Sequence, residues 1–210
     1  MLQYSTIDKR TLELLKSLMQ QDFLTNFNLV GGTALALQMG HRISIDLDFF
    51  TNQICNLSEI RGQLDQNYQI QEISENKGGL NLKINYPESS RNSIKVDIVK
   101  YKYELIKPII TDNGIRLLSK EDIVPMKLAA IANRGAKKDF YDLYFLLHEY
   151  SLKEMISFFE IKFSNYNNFY VIKSLTYFED AETDIDPKMI IKCSWKEIKK
   201  YIQEKVKEYL

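Results

Sequence analysis

Leu29-Val-Gly-Gly-Thr-Ala-Leu-Ala-Leu-Gln-Met-Gly-His-Arg-Ile-Ser-Ile-Asp-Leu-Asp-Phe-Phe50 joins a glycine turn to an acidic strand in one run. Phe27 to Val30 reads as a short strand that enters Gly31-Gly32. Thr33 to Met39 reads as a helix, with Gly40 placed to end it in a left-handed conformation. Ile43 to Phe50 follows as a strand of β-branched and aromatic residues carrying Asp46 and Asp48. Side chains at i and i+2 of a strand share a face, so the two carboxylates lie about 7 Å apart at their Cα atoms. Such a pair can converge on one hard cation with oxygen coordination, and without a cation each raises the other's pKa.

Glycines at a strand-to-helix junction let the backbone approach a phosphate, where the helix N-terminus and the Thr33 hydroxyl offer donors. Each piece also has a plainer use, Asp-x-Asp as two solvent-facing acids and Gly-Gly as a tight turn. The neighbours Ile45, Leu47, Phe49 and Phe50 suit burial and tip the balance toward a site. An EF-hand does not fit, because the acidic spacing stops at Asp48 and no glycine follows at the sixth position. Neither a Walker motif nor Gly-x-Gly-x-x-Gly occurs, which disfavours P-loop and Rossmann chemistry.

Outward from this run, residues 8 to 24 carry a helix-period apolar stripe. Beyond it come a loop over Thr51–Asn56, a helix near Ser58–Asp65, and strands at Tyr68–Ile73, Leu80–Tyr86 and Ile94–Val99. Pro87 to Asn92 reads as the turn between the last two, and a fourth short strand is placed at Gly114–Leu118. From Ser119 onward the pattern is helical. Ser119-Lys-Glu-Asp122 resembles a capping box, with Pro125 in the first turn and a break at Arg134-Gly-Ala136. Further helices are expected at Lys138–Glu149, after the capping box Ser151-Leu-Lys-Glu154, over Asn167–Phe178, and from Trp195. The expectation is an α+β fold, a mixed sheet in residues 1–118 completed by a helical region in 119–210.

The chain has 210 residues, 45% hydrophobic and 27% charged, within the range of ordinary globular proteins. Lys+Arg and Asp+Glu both number 28, so no global basic field drives nucleic-acid binding, although local clusters can still contact RNA. No apolar stretch approaches the roughly 20 residues of a membrane span, and the N-terminus lacks a signal-peptide core. Cys55 and Cys193 form no metal or redox pair pattern. A cytoplasmic location is the default expectation.

Asp97 is a third acid, on the face of Ile94–Val99 opposite Ile94, Val96 and Ile98. Beside the Ile43–Phe50 strand it would lie about 5 Å away laterally, to complete a metal site or accept the proton of an attacking hydroxyl. Taken alone it is an exposed strand acid. Lys127 interrupts the apolar Val124–Ala132, where a snorkelling surface lysine is the common explanation. Arg134, Lys137 and Lys138 follow, then Asp139-Phe-Tyr-Asp142. Clustered cations would neutralise β and γ phosphates and stabilise a leaving pyrophosphate. Asp139 equally suits a helix N-terminus. His148, at a helix end, reads as structural, and His41 as shaping its loop.

Together these residues resemble the AbiEii/AbiGii-type nucleotidyltransferase toxin family of the DNA polymerase β-like superfamily. The resemblance rests on Gly31-Gly-Thr-Ala-Leu35, Gly40 through Phe50, Lys95-Val-Asp97, Lys127-Leu-Ala-Ala, and Arg134 through Asp142. It implies a nucleotidyltransferase fold and magnesium-dependent transfer of a nucleotide from an NTP, with pyrophosphate released. By resemblance Asp46, Asp48 and Asp97 hold metal. Gly31, Gly32, Thr33, Arg42 and Ser44 flank the phosphates, and Lys127 contacts the nucleotide together with Arg134 and Lys138. Asp139 or Asp142 orients the basic residues. It further implies the toxin of a type IV toxin–antitoxin or phage-defence pair, with a cognate antitoxin and tRNA or another RNA as acceptor. A small molecule or a protein as acceptor, or a non-catalytic nucleotide-binding module, are the alternatives.

Overall fold

The computed structural model describes residues 1–87 and 92–210, so most of the turn expected over 87–92 lies outside the described residues. The first helix, α1 (Lys9–Met19), is capped by Asp8, whose side chain accepts from Thr11 N at 3.0 Å. It ends five residues earlier than its apolar stripe predicts, and a short 3-10 turn at Asp22–Leu24 takes over. β1 (Asn28–Val30) passes directly into α2 (Gly31–Met39), with Gly40 at φ 72° closing it as expected.

β2 spans only Leu47–Thr51. The expected strand over residues 43–46 is extended chain without a ladder, because its donors go elsewhere. Ile43 N donates to the Lys188 carbonyl and Ser44 N to the Thr6 carbonyl. α3 (Leu57–Asn67) then leads to β3 (Gln69–Asn76), β4 (Gly79–Asn85) and β5 (Ser93–Lys100). The hairpin β6 (Ile110–Asp112) and β7 (Ile115–Leu117) contains one strand the apolar pattern did not suggest. Asn113 and Gly114 turn it at φ 49° and 79°. Asn-Gly is the residue pair preferred where both turn positions need positive φ.

Among the described residues the seven strands form one mixed sheet in the order β3-β4-β5-β2-β1-β7-β6. β2–β5 and β1–β7 pair in parallel and the remaining neighbours are antiparallel. The registers place Val30, Asp48, Asp97, Asn81 and Ser74 opposite one another in turn, a single row across five strands.

The helical region comprises α4 (Lys120–Arg134), α5 (Lys137–Leu146), α6 (Leu152–Lys162), α7 (Asn168–Ser174), α8 (Glu179–Glu182) and α9 (Trp195–Tyr209). α5 and α7 end before the predicted Glu149 and Phe178. Pro125 sits in the second turn of α4 rather than the first, where it cannot donate to the preceding turn. The Asp122 carboxylate receives the backbone N–H of Ile106 and Lys107, the Ser119 hydroxyl and the buried Lys162 ammonium. It ties α4, α6 and the loop before β6 together. Ser151 and Ser194 form full capping boxes with Glu154 and Glu197. The hydrophobic core runs continuously from Leu14 and Phe49 to Phe140, Phe159 and Ile202, across residue 118.

Candidate functional site

The junction of β1 and α2 needs glycine twice. Gly31 has φ +70°, and a Cβ there would overlap the Asp48 carboxylate. A Cβ on Gly32 would overlap the Arg42 guanidinium. Among the described residues no side chain caps the N-terminus of α2, so its first N–H groups can meet an anion.

Opposite this helix end lies an open cleft of about 280 Å³, walled by the β2–β5 face and by α4. Asp46, Asp48 and Asp97 all line it. Asp48 and Asp97 are direct register partners across the parallel pair, as lateral adjacency predicted. The Asp48 carboxyl is pushed up to about 6, first by burial and then by the charges of Asp97 and Asp46. Asp97 has both oxygens engaged: Asn81 Nδ2 donates to Oδ1 at 2.9 Å and Lys95 Nζ to Oδ2 at 2.8 Å. Asp46 pairs more loosely with Lys138, at 3.5 Å. Among the described residues no three of His, Cys, Asp and Glu are drawn together as a ready metal cage. The donor set is nevertheless all oxygen, and a divalent cation would relieve both the burial and the neighbouring charges that raise Asp48.

The buried ion pairs draw on the loop after α2, which carries Arg42, and on α4, which carries Lys127 and Arg134. Arg42 is buried and forks onto Asp142, Nε to Oδ1 at 2.7 Å and Nη2 to Oδ2 at 2.9 Å. Lys127 is buried, not snorkelling, with Nζ 3.0 Å from Asp139 Oδ1 and 2.6 Å from Asp142 Oδ2. Arg134 grips Asp139 through Nε (2.9 Å) and Nη2 (3.1 Å) while its side chain stays 57% exposed. Both aspartates are wholly buried behind the cleft, so each orients cations and neither lines the cavity. Burial pushes the Asp142 carboxyl up, but Arg42, Lys127 and the hydrogen bonds from Arg42 and His41 hold it well below the usual range. Asp139 is lowered in the same way by Lys127 and Arg134.

Two residues stand differently from their sequence reading. The Thr33 hydroxyl is buried away from the cleft, donating to the Asp46 carbonyl and touching Ser44 Oγ at 2.9 Å. It locks the acidic segment onto α2 instead of meeting a phosphate. Lys137 turns away to bond the carbonyls of Glu182 and Asp184. His41 Nε2 donates to Asp142 Oδ1 at 2.8 Å, and His148 packs on Tyr201 at 4.6 Å between ring centroids.

Other contributors were not singled out from sequence. Lys95 shares a strand face with Asp97, a relation period two makes readable, but Asn81 reaches Asp97 only through the β4–β5 register. Phe50, Val99, Ile123 and Met126 are apolar residues of the cleft lining. Residues 184–191 form a strap over the Arg42 loop. Met189 bridges Arg42, and the N–H groups of Ile190 and Ile191 donate to the His41 carbonyl.

The family model described as nucleotidyl transferase AbiEii toxin, type IV TA system, matches residues 13–208. The chain belongs to the AbiEii nucleotidyl transferase toxin family. This AbiEii-family protein is 35% identical over 210 residues to a protein of Aquifex aeolicus (strain VF5), covering 97% of this chain and 98% of the relative. Its fold is similar to that of JHP933 from Helicobacter pylori, with a TM-score of 0.62 at 17% identity over 96% of this chain and 92% of that one. It is also similar to MenT4, nucleotidyltransferase toxin Rv2826c from Mycobacterium tuberculosis H37Rv. There the TM-score is 0.55 at 15% identity, over 94% of this chain and 80% of MenT4. Family and fold together support a transferase with an α+β nucleotidyltransferase architecture. Among the described residues no helix is long and apolar enough to cross a membrane.

Proposed function

We propose that this AbiEii-family protein transfers a nucleotide from an NTP to RNA, tRNA first among candidates, and acts as the toxin of a pair with a cognate antitoxin. One observation carries the reading. Asp48 and Asp97 on adjacent strands, Asp46 just before the first of them, and the uncapped start of α2 face the cations of α4 and α5 across one cleft. Asp46, Asp48 and Asp97 would hold magnesium, which supplies charge neutralisation between the acids and the triphosphate. The first N–H groups of α2 receive phosphate oxygens, and Ser44 flanks them. Arg42, Lys127, Arg134 and Lys138 stabilise the charge that builds on the departing pyrophosphate. The apolar lining residues, Phe50 and Met126 among them, take the base and ribose. The acceptor oxygen bonds to the α-phosphorus as the bond to pyrophosphate breaks, and Asp97 accepts the hydroxyl proton.

The test is incubation of purified protein with magnesium, each α-labelled NTP and a cell lysate resolved into RNA, protein and small-molecule fractions. Label in RNA, lost in Asp48→Ala, is the expected result. Label confined to protein or small molecules would move the acceptor to the class that the balanced net charge also permits. NTP binding without any labelling would instead mean a non-catalytic module.

A further inference from the structure

Two surface clefts adjoin the nucleotide cleft, one at each end. The first lies beyond Arg134 and is lined by Tyr170, Lys173, Tyr177 and Asp180. The second lies beyond Lys95 and is lined by Glu72, Ser74, Asn81 and Lys83. Arg134 and Lys95 each border the nucleotide cleft and one neighbour. Exposed tyrosines beside a lysine are the side chains that usually stack and hold single-stranded nucleic acid, so composition alone favours the first.

The chemistry favours the second. Nucleotidyl transfer displaces pyrophosphate in line, so the attacking hydroxyl arrives from the side opposite the leaving group. The row Val30–Asp48–Asp97–Asn81–Ser74 gives that direction an axis across the sheet. At its β1 end stand the start of α2 and Arg42, which hold the leaving phosphates. Past Asp97 it continues over β4 and β3, where Ser74 and Asn81 are exposed. Successive strands are about 4.8 Å apart, so Asn81 is one strand from Asp97. A parallel row, Lys95, Lys83 and Glu72, runs beside it with both lysines exposed. Lys83 is now paired with Glu72 at 2.8 Å, both side chains about half exposed (48% and 62%). Such a surface pair is worth at most about 1 kcal/mol and yields readily to a phosphate.

Resting on the nucleotidyl-transfer reading above, we infer that the acceptor is a polynucleotide whose end lies across the exposed β3–β4–β5 face. Lys83 and Lys95 contact its phosphates. Asn81 is a positioning residue: its amide fixes Asp97 from the side on which the acceptor hydroxyl arrives. The tyrosine cleft, at the pyrophosphate end, takes no part in acceptor binding.

Steady-state kinetics with bulk tRNA and α-labelled NTP test this in six proteins: wild type, Lys83→Glu, Glu72→Lys, Asn81→Ala, Asn81→Gln and the double variant Tyr170→Ala/Tyr177→Ala. Lys83→Glu is expected to raise the KM for tRNA about tenfold and to lower the salt-dependence slope by about one. Glu72→Lys is expected to lower that KM, and the KM for NTP stays constant in both. Asn81→Ala lowers kcat with both KM values unchanged, and Asn81→Gln restores part of it. A tRNA KM that ignores both charge variants, or one that rises in the tyrosine variant, overturns the inference. Wild-type protein that labels no RNA removes the underlying reading and the inference with it.

Discussion

Asp48 and Asp97 stand opposite each other on parallel strands, and burial with the Asp97 charge pushes the Asp48 carboxyl up to about 6. The folded state therefore binds the Asp48 proton more tightly than the unfolded chain, whose aspartates ionise near 4. The sign follows: metal-free protein loses stability as pH rises from about 4 to about 6, by up to ~3 kcal/mol. Asp48→Asn should remove that dependence and raise the melting temperature at pH 7 to 8 while abolishing transfer. Thermal melts of the metal-free proteins across pH 4 to 8 check this, and parallel curves for the two would refute it.

The buried charges behave in the opposite sense. Asp142 and Asp139 are held below the usual carboxylate range by Lys127, Arg42 and Arg134. Their contribution is complete above about pH 4 and is lost as the pH falls further, through their folded values. Asp142→Asn is expected to flatten the acid limb of the stability curve, measured by urea unfolding at a series of pH values.

Lys127 and Arg134 both bond Asp139, yet their removal should differ. Lys127→Met strips a buried partner from two aspartates and is expected to destabilise by about 3–5 kcal/mol. Arg134→Ala removes an exposed guanidinium and should change stability by no more than about 1 kcal/mol. Its effect is expected on the nucleotide, about a tenfold rise in NTP dissociation constant. Calorimetry beside denaturant melts separates the two.

Gly31→Ala places a Cβ at positive φ against the Asp48 carboxylate, a strain of roughly 1–3 kcal/mol. Gly32→Ala has ordinary φ but displaces the Arg42 guanidinium. The first is expected to lower the melting temperature. The second is expected to weaken NTP binding, and unchanged NTP affinity in Gly32→Ala would argue against phosphates at this helix start.

Much of the site was legible because it depends on short-range rules. Period two puts Lys95 and Asp97 on a shared face, and Gly31-Gly32 announces a close backbone approach. Residues 43–46 failed as a strand because their donors are claimed by Thr6 and Lys188, partners that no local pattern reveals. Thr33 looked like a phosphate donor until tertiary structure brought the Asp46 carbonyl to it. β6 was missed although Asn113-Gly114 marked the hairpin plainly. Asn81 and the 184–191 strap depend on register and long-range docking, which periodicity does not encode.

That strap has a consequence for the life of the molecule. Arg42 lies early in the chain, but its partners, Asp142 and the backbone of residues 188–191, come late. A growing polypeptide on the ribosome thus carries its acids and glycines long before it can clamp the guanidinium beside them. The clamp on Arg42 therefore closes only after synthesis has passed Ile191, late in the making of the chain.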